Sequence, residues 1–277
     1  MAVGRLSLAA IGDNCIDSYL PPVGVSAVGG QALNVAVTWS RLGWNSEYLG
    51  AVGNDADGVR VLGALRTEGV GTDLVQVHDS PTGLTQFSIS STGDRVVEFE
   101  DQGACAEYAP EASELDRLSE FDHVHMAQLC DFRSVAAALK ERGLSVSYDF
   151  STELETTDLF GVGTAIYSWP GKPDDQGLAS LANAAFKGGA LVVVATCGEH
   201  GSAVFQEGKR TIESVREIRP VDTCGAGDAF AAVFLSERLR GQPVQVSMSA
   251  AAEAASKACL HLGAWEQSLV NLDEVRQ

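Results

Sequence analysis

Between residues 123 and 196 the chain repeats one pattern: a short apolar run, a stretch with apolar residues at helical spacing, then another short run. The runs at 123–126, 144–149, 165–167 and 191–196 read as short strands, and the last, apolar at successive positions from Leu191 to Ala195, as one covered on both faces. The stretches at 132–142 and 177–186 read as helices between them. Strands joined through helices run parallel, with helices packed on both sides of the sheet. Upstream, 6–11 and 48–52 repeat the strand pattern, and 58–68 reads as a helix closed by Gly69. The expected fold class is α/β, a mostly parallel sheet with helices on both faces. Its 277 residues allow a sizeable core, and no internal repeat or linker-like stretch divides them. Residues 1–277 are therefore expected to form a single domain.

One segment breaks this rhythm. Thr85, Phe87 and Ile89 alternate with polar residues, Ser91-Thr92-Gly93-Asp94 turns the chain, and Val96, Val97 and Phe99 return it. This is the pattern of a β-hairpin with one face covered, or of a plain sheet edge.

Two glycine-rich segments each open a helical pattern. Residues 222–230 read Asp-Thr-Cys-Gly-Ala-Gly-Asp-Ala-Phe, after an extended stretch ended by Pro220 and Val221. Ala229, Phe230, Val233 and Phe234 then fall at helical spacing. The first amides of a helix lack internal partners, and the dipole there is positive. Gly225, Ala226 and Gly227 add almost no side-chain bulk, so the segment describes a cradle for phosphate oxygens. Asp228 sits in the same turn, placed to take a proton from an alcohol. The same residues also describe a helix capped by its own Asp, with no ligand involved. In the second segment, Gly29 and Gly30 open a helix through Ala32, Val35, Ala36, Trp39 and Leu42, stopped by Gly43, with Asn34 one turn in.

Two carboxylates, Asp13 and Asp17, follow the first strand, at the edge where open α/β sheets bind ligands. For each, the alternative is the ordering of a turn. Thr196-Cys197-Gly198-Glu199-His200-Gly201 follows a strongly apolar strand and by itself reads as a tight turn.

These segments resemble the pfkB (ribokinase-like) carbohydrate kinases over nearly the whole chain. Asp-Thr-x-Gly-Ala-Gly-Asp-x-Phe at 222–230 is similar to the C-terminal signature of that family. Gly-Gly-x-x-x-Asn-x-Ala from Gly29, ending in Leu42-Gly43, is similar to its N-terminal signature. The resemblance implies an ATP-dependent sugar kinase with a small β lid, whose strands are inserted at about 14–28 and 82–104. It makes Asp228 the catalytic base and the amides of Gly225, Ala226 and Gly227 the anion hole. It assigns Asp13, Asp17, Gly29, Gly30 and Asn34 to the sugar, with Gln86 and the segment 101–104 touching it from the lid. Thr196, Gly198, Gly201 and Thr223, together with Gly225 and Gly227, are implied on the nucleotide side. A final helix at about 244–261 and the Gly263-Ala264-Trp265 segment are expected to close the adenine pocket.

The cofactors implied are ATP and Mg²⁺, with a monovalent cation such as K⁺ as a further expectation. The implied partners are the sugar and ATP, with the lid as a homodimer surface. One departure stands out. Many members carry Asn-x-x-Glu after the strand at 165–167, where this chain has Ser168-Trp169-Pro170-Gly171-Lys172-Pro173-Asp174-Asp175. Asp174 or Asp175 is then expected to organise Mg²⁺. Residues 12–17, the altered loop, Thr-x-Gly-Glu-x-Gly at 196–201 and the Gly-Ala-Trp segment resemble the fructoselysine 6-kinase branch. That makes a primary hydroxyl of a ketose-type substrate the expected acceptor. The alternatives are another sugar, a nucleoside, or a non-catalytic sensor on the same scaffold.

Composition restricts the partners. A net charge of −18 argues against nucleic acid or an acidic membrane surface, which both call for a basic face. It also requires amides and Mg²⁺ to supply most of the positive field around ATP. No apolar run approaches a membrane span, and the Met-Ala-Val-Gly-Arg-Leu start lacks the layout of a secretion signal, so a cytoplasmic location is expected. Six cysteines without a Cys-x-x-Cys pair are expected to be buried, reduced thiols, and five scattered histidines show no metal spacing.

Overall fold

The structure, a computed structural model, describes residues 4–89 and 95–275. The turn expected at 91–94 lies outside those residues. The chain begins with strands β1 (Ser7–Gly12), β2 (Cys15–Tyr19) and β3 (Val25–Gly29), then helix α1 (Gln31–Arg41). It continues with β4 (Asn45–Gly53), α2 (Ala56–Thr67), β5 (Val75–His78), β6 (Leu84–Ile89) and β7 (Arg95–Asp101). Next come α3 (Ala112–Arg117), β8 (His123–Ala127), α4 (Phe132–Glu141), β9 (Val146–Asp149), β10 (Thr164–Ser168), α5 (Gln176–Gly188) and β11 (Val192–Thr196). The last elements are β12 (Ser202–Gln206), β13 (Lys209–Glu213), α6 (Ala226–Leu239), α7 (Val244–Ala258), β14 (Val270–Asn271) and α8 (Leu272–Val275).

The main sheet runs β13-β12-β11-β10-β9-β8-β1-β4-β5. From β11 to β5 every pair is parallel, while β12 and β13 are antiparallel additions at one edge. Strand β1 shows why its sequence is unbroken apolar from Leu8 to Ile11. Leu8 and Ala10 pack on one side with Trp39, Leu65, Phe234 and Met248 of α1, α2, α6 and α7. Ala9 and Ile11 pack on the other with Leu139 and Leu181 of α4 and α5. Each fully buried Leu or Ile contributes about 1.5–3 kcal/mol, so both faces hold the sheet in place. Trp39 is buried, and its indole N–H donates to the Ala232 carbonyl at 2.8 Å, which seats α1 against α6.

The antiparallel pair β12–β13 escaped the sequence reading. Its turn, Glu207-Gly208, has φ of 53° and 72°, the left-handed pair that a two-residue hairpin needs. Helix α7 ends at Ala258, three residues short of the expected 261. None of the six cysteines forms a disulfide, but Cys130 is exposed and Cys15 half-buried, unlike the other four.

A second sheet, β14-β3-β2-β6-β7, lies where β1 ends and α1 begins, because β2 leaves β1 directly and β3 runs into α1. Gln267 fastens it by donating to and accepting from the Val28 backbone, and Arg60 of α2 donates to Ser26. Among the described residues no helix is long and apolar enough to cross a membrane.

Candidate active site

Helix α6 starts at Gly225, whose φ of 70° is left-handed and whose added Cβ would lie 2.4 Å from that of Ala264. Only glycine fits there. The first intrahelical bond runs from the Ala229 amide to the Gly225 carbonyl, and no side chain caps the helix. A Cβ on Gly227 would meet nothing within 4 Å, so the backbone faces open space. An uncapped, positively polarised helix start of this kind is suited to phosphate oxygens. The loop before it is held by Asp222, which accepts from the amides of Cys224 and Gly263, each at 3.0 Å, and from the Tyr19 hydroxyl. In the sequence only its place in the signature marks Asp222.

Asp228 does not cap its own helix. Its carboxylate is buried and accepts from Asn34 Nδ2 at 2.7 Å. Burial pushes its pKa well above the usual carboxylate range; the Asn34 hydrogen bond opposes that, and the charges of Asp149, Asp13 and Asp17 add to it. A carboxylate shifted upward is a better match for taking a proton near neutral pH. Asn34 Oδ1 is buried without a protein partner, an acceptor that a ligand hydroxyl would satisfy.

Asp17 and Asp13 have different surroundings. Asp17 is buried on β2, with the Cys15 thiol donating to one oxygen at 3.3 Å and the Cys224 thiol to the other at 3.5 Å. A Cβ on Gly29 would come within 2.2 Å of its Oδ2, which explains the glycine: β3 presses its backbone against this carboxylate. Asp13 instead accepts from the amides of Gln31 at 2.8 Å and Ala32 at 3.0 Å, capping α1. Burial raises its pKa to about 6 despite those two hydrogen bonds. Gly30 is the N-cap of α1, and Gln86 sits half-buried on β6 beside Ser18.

On the other side of α6 a cavity of about 880 Å³ brings Thr196, Gly198 and Gly201 together with Thr223, Ala226 and Gly227. Its remaining walls are largely apolar: Val215, Ile218 and Pro220 after β13, Ala252 and Ala255 on α7, and Cys259 just past its end. The volume suits a nucleotide-sized ligand. Arg216 adds a cation to the wall and donates to Ser249 Oγ at 2.7 Å. The cavity and the Asp228–Asn34 pair thus meet at the start of one helix.

The sequence profile of the pfkB family carbohydrate kinases matches residues 11–146 and 163–269. The chain belongs to the pfkB family of carbohydrate kinases. It is 31% identical to the fructosamine kinase FrlD of Bacillus subtilis over 277 residues, covering 94% of this chain and 93% of that protein. It is 30% identical to a fructoselysine 6-kinase of Shigella flexneri over 263 residues, covering 94% and 99%. The solved structure of Arabidopsis thaliana ribokinase complexed with ribose and ATP aligns with a TM-score of 0.82 at 25% identity, over 94% of each chain. The protein is accordingly an ATP-dependent carbohydrate kinase with the ribokinase-like fold.

In this pfkB kinase the loop after β10 leaves Asp174 exposed. Asp175 accepts from Trp169 Nε1 at 3.0 Å and from the Lys172 amide at 2.9 Å, bonds that hold its pKa below the usual range. Neither carboxylate lines the cavity. Asp149, unmarked by the sequence reading, is buried at the end of β9 and accepts from the Ser151 amide at 2.7 Å. Burial raises its pKa to about 6, with the charge of Asp13 adding to the effect. Among the described residues no group of three or more His, Cys, Asp or Glu is arranged to hold a metal.

Proposed function

We propose that this pfkB kinase transfers the γ-phosphoryl of MgATP to a primary hydroxyl of a ketose-type sugar, with fructoselysine as its acceptor. The observation that carries the reading is the buried Asp228–Asn34 pair beside the uncapped start of α6. The sugar lies under the lid against Asp17, Gly29, Gly30 and Asn34, whose free Oδ1 accepts one of its hydroxyls. Asp228 takes the proton of the primary hydroxyl as its oxygen attacks phosphorus, and the amides of 225–227 stabilise charge on the transferring oxygens. Ile218 and Ala252 on the cavity wall would hold the purine, and Thr223 and Gly227, at the start of α6, the phosphates. The lid keeps water from competing as acceptor.

For Mg²⁺ we favour Asp149 over Asp174 and Asp175. A nucleotide-bound Mg²⁺ needs one or two carboxylates besides phosphate oxygens, and Asp149, though also outside the cavity wall, is a buried carboxylate at the sheet edge, three residues before the wall residue Thr152. When bound, the ion neutralises charge on the β- and γ-oxygens. Exposed Val96, Val97 and Phe99 on edge strand β7 support a homodimer through the lid, which sedimentation over a range of concentrations tests. Assembly of 1–277 as a single domain belongs to the same reading.

The acceptor rests on two relatives, named for fructosamine and fructoselysine, that span nearly the whole chain. A panel of fructoselysine, fructose, ribose and adenosine with labelled ATP tests it. The expected result is the highest kcat/KM with fructoselysine. A ranking led by ribose or adenosine overturns the acceptor, and no transfer to any of the four favours a sensor. The same panel in K⁺ and in Na⁺ salts tests the monovalent-ion expectation.

A further inference from the structure

A smaller cavity, of about 260 Å³, is unused by this mechanism. Gln128, Tyr148 and Phe150 form part of it at the ends of β8 and β9. Ala127 pairs with Gly12 on one side and with Asp149 on the other. The cavity thus begins one residue beyond the strand ends that carry Asp13 and Asp149. Gln102, just past lid strand β7, supplies another wall, and its amide donates to Gln128 Oε1 at 3.4 Å. The segment 152–155 divides the two cavities: Thr152 and Leu154 line the nucleotide side, and Glu153 and Glu155 line this one. It therefore adjoins the acceptor site, between lid and sheet edge.

Its polar groups are unevenly committed. Glu155 accepts from the amides of Thr156 and Thr157 and pairs with Arg133 at 3.1 Å. Arg133 in turn lies over the Phe132 ring, 4.6 Å from its centroid. Glu153 has no hydrogen bond or ion pair from its carboxylate among the described residues. Two carboxylates against one guanidinium leave the cavity net negative. Gln128 and Ser151, at its margins, have φ of 47° and 50°, a left-handed conformation that non-glycine residues adopt at a cost and that gathers at functional sites.

We infer that this cavity receives an amine-bearing tail of the acceptor, an alkylammonium or amino-acid group carried on the sugar. Glu153 takes the ammonium, and Arg133 takes a carboxylate where the tail has one. A plain hexose leaves these groups unused, so the cavity is what separates an aminated ketose from its parent sugar. The assignment rests on the sugar-kinase reading above and adds to it the charge of the substrate.

The test is the ratio of kcat/KM for fructoselysine to that for fructose, measured in wild type, Glu153→Gln and Arg133→Gln. Glu153 is exposed, so its replacement leaves the fold intact. Loss of a charge-assisted contact should lower the ratio about tenfold in Glu153→Gln, with a smaller fall in Arg133→Gln. Calorimetric titration with fructoselysine in the absence of ATP should show the same weakening. If wild type favours fructoselysine while Glu153→Gln keeps the full ratio, the cavity assignment fails alone. If wild type phosphorylates fructose but binds no aminated sugar, the cavity assignment and the acceptor fail together.

Discussion

Helices α1 and α6 begin alike and end up doing different work. Each starts from a glycine with positive φ, 118° at Gly30 and 70° at Gly225, and neither N-cap residue offers a side chain to its own amides. At α1 the protein fills the positive end itself, with Asp13 accepting from Gln31 and Ala32. At α6 the nearby carboxylate turns instead to Asn34, a residue of α1, and the amides are left facing open space. A polarised helix start becomes an anion site only where the chain supplies no anion of its own.

The largest expected effect comes from the open end. Asp228→Asn should lower turnover at least ~10²-fold, as loss of a general base usually does, while calorimetry still reports ATP binding. Near-wild-type turnover would remove the base role. Gly225→Ala should cost about 1–3 kcal/mol in urea unfolding, because alanine must adopt a left-handed conformation and its methyl meets Ala264. The same variant should lose much of the thermal shift produced by ATP.

The closed end predicts a stability effect of another kind. Asp13→Ala should cost about 1–2 kcal/mol, the usual loss on removing a helix cap. Asp13→Asn keeps an acceptor and separates cap from charge. Since the folded pKa is raised to about 6 from 3.8, the folded state holds this proton more tightly. That contribution is full below the unfolded value and is lost as pH rises through about 6. Urea midpoints of wild type should therefore fall relative to Asp13→Asn between about pH 4 and 6; parallel profiles would show that Asp13 does not titrate there.

The smallest effect sharpens the link between the two helices. Activity should fall as pH drops through the raised pKa of Asp228. Asn34→Ala removes a hydrogen bond that favours the charged form and should move that acidic limb up in pH. Asp13→Asn removes a like charge and should move it down. Shifts in the same direction in pH–rate profiles would break the assignment.

Most elements were legible because their causes are local. Burial of β1 on both faces shows as unbroken apolarity, and the stop of α1 shows as Gly43. The hairpin β12–β13 was not legible: Glu207-Gly208 lies between short runs, but their apolar residues are few. Missing it concealed the cavity wall at Val215 and Ile218.

From the residues alone followed the α/β alternation, the family signatures and a glycine-built helix start, since periodicity and backbone freedom belong to neighbouring residues. Folding alone distinguished the carboxylates. Asp13 caps, Asp17 lies against β3, Asp149 is buried at the sheet edge and Asp175 is tied into a loop. In the sequence no residue type or spacing tells the cap from the buried acid or the loop tie. Their differences arise from burial and from partners far along the chain, as with Asn34 and Asp228, and only packing brings such partners together.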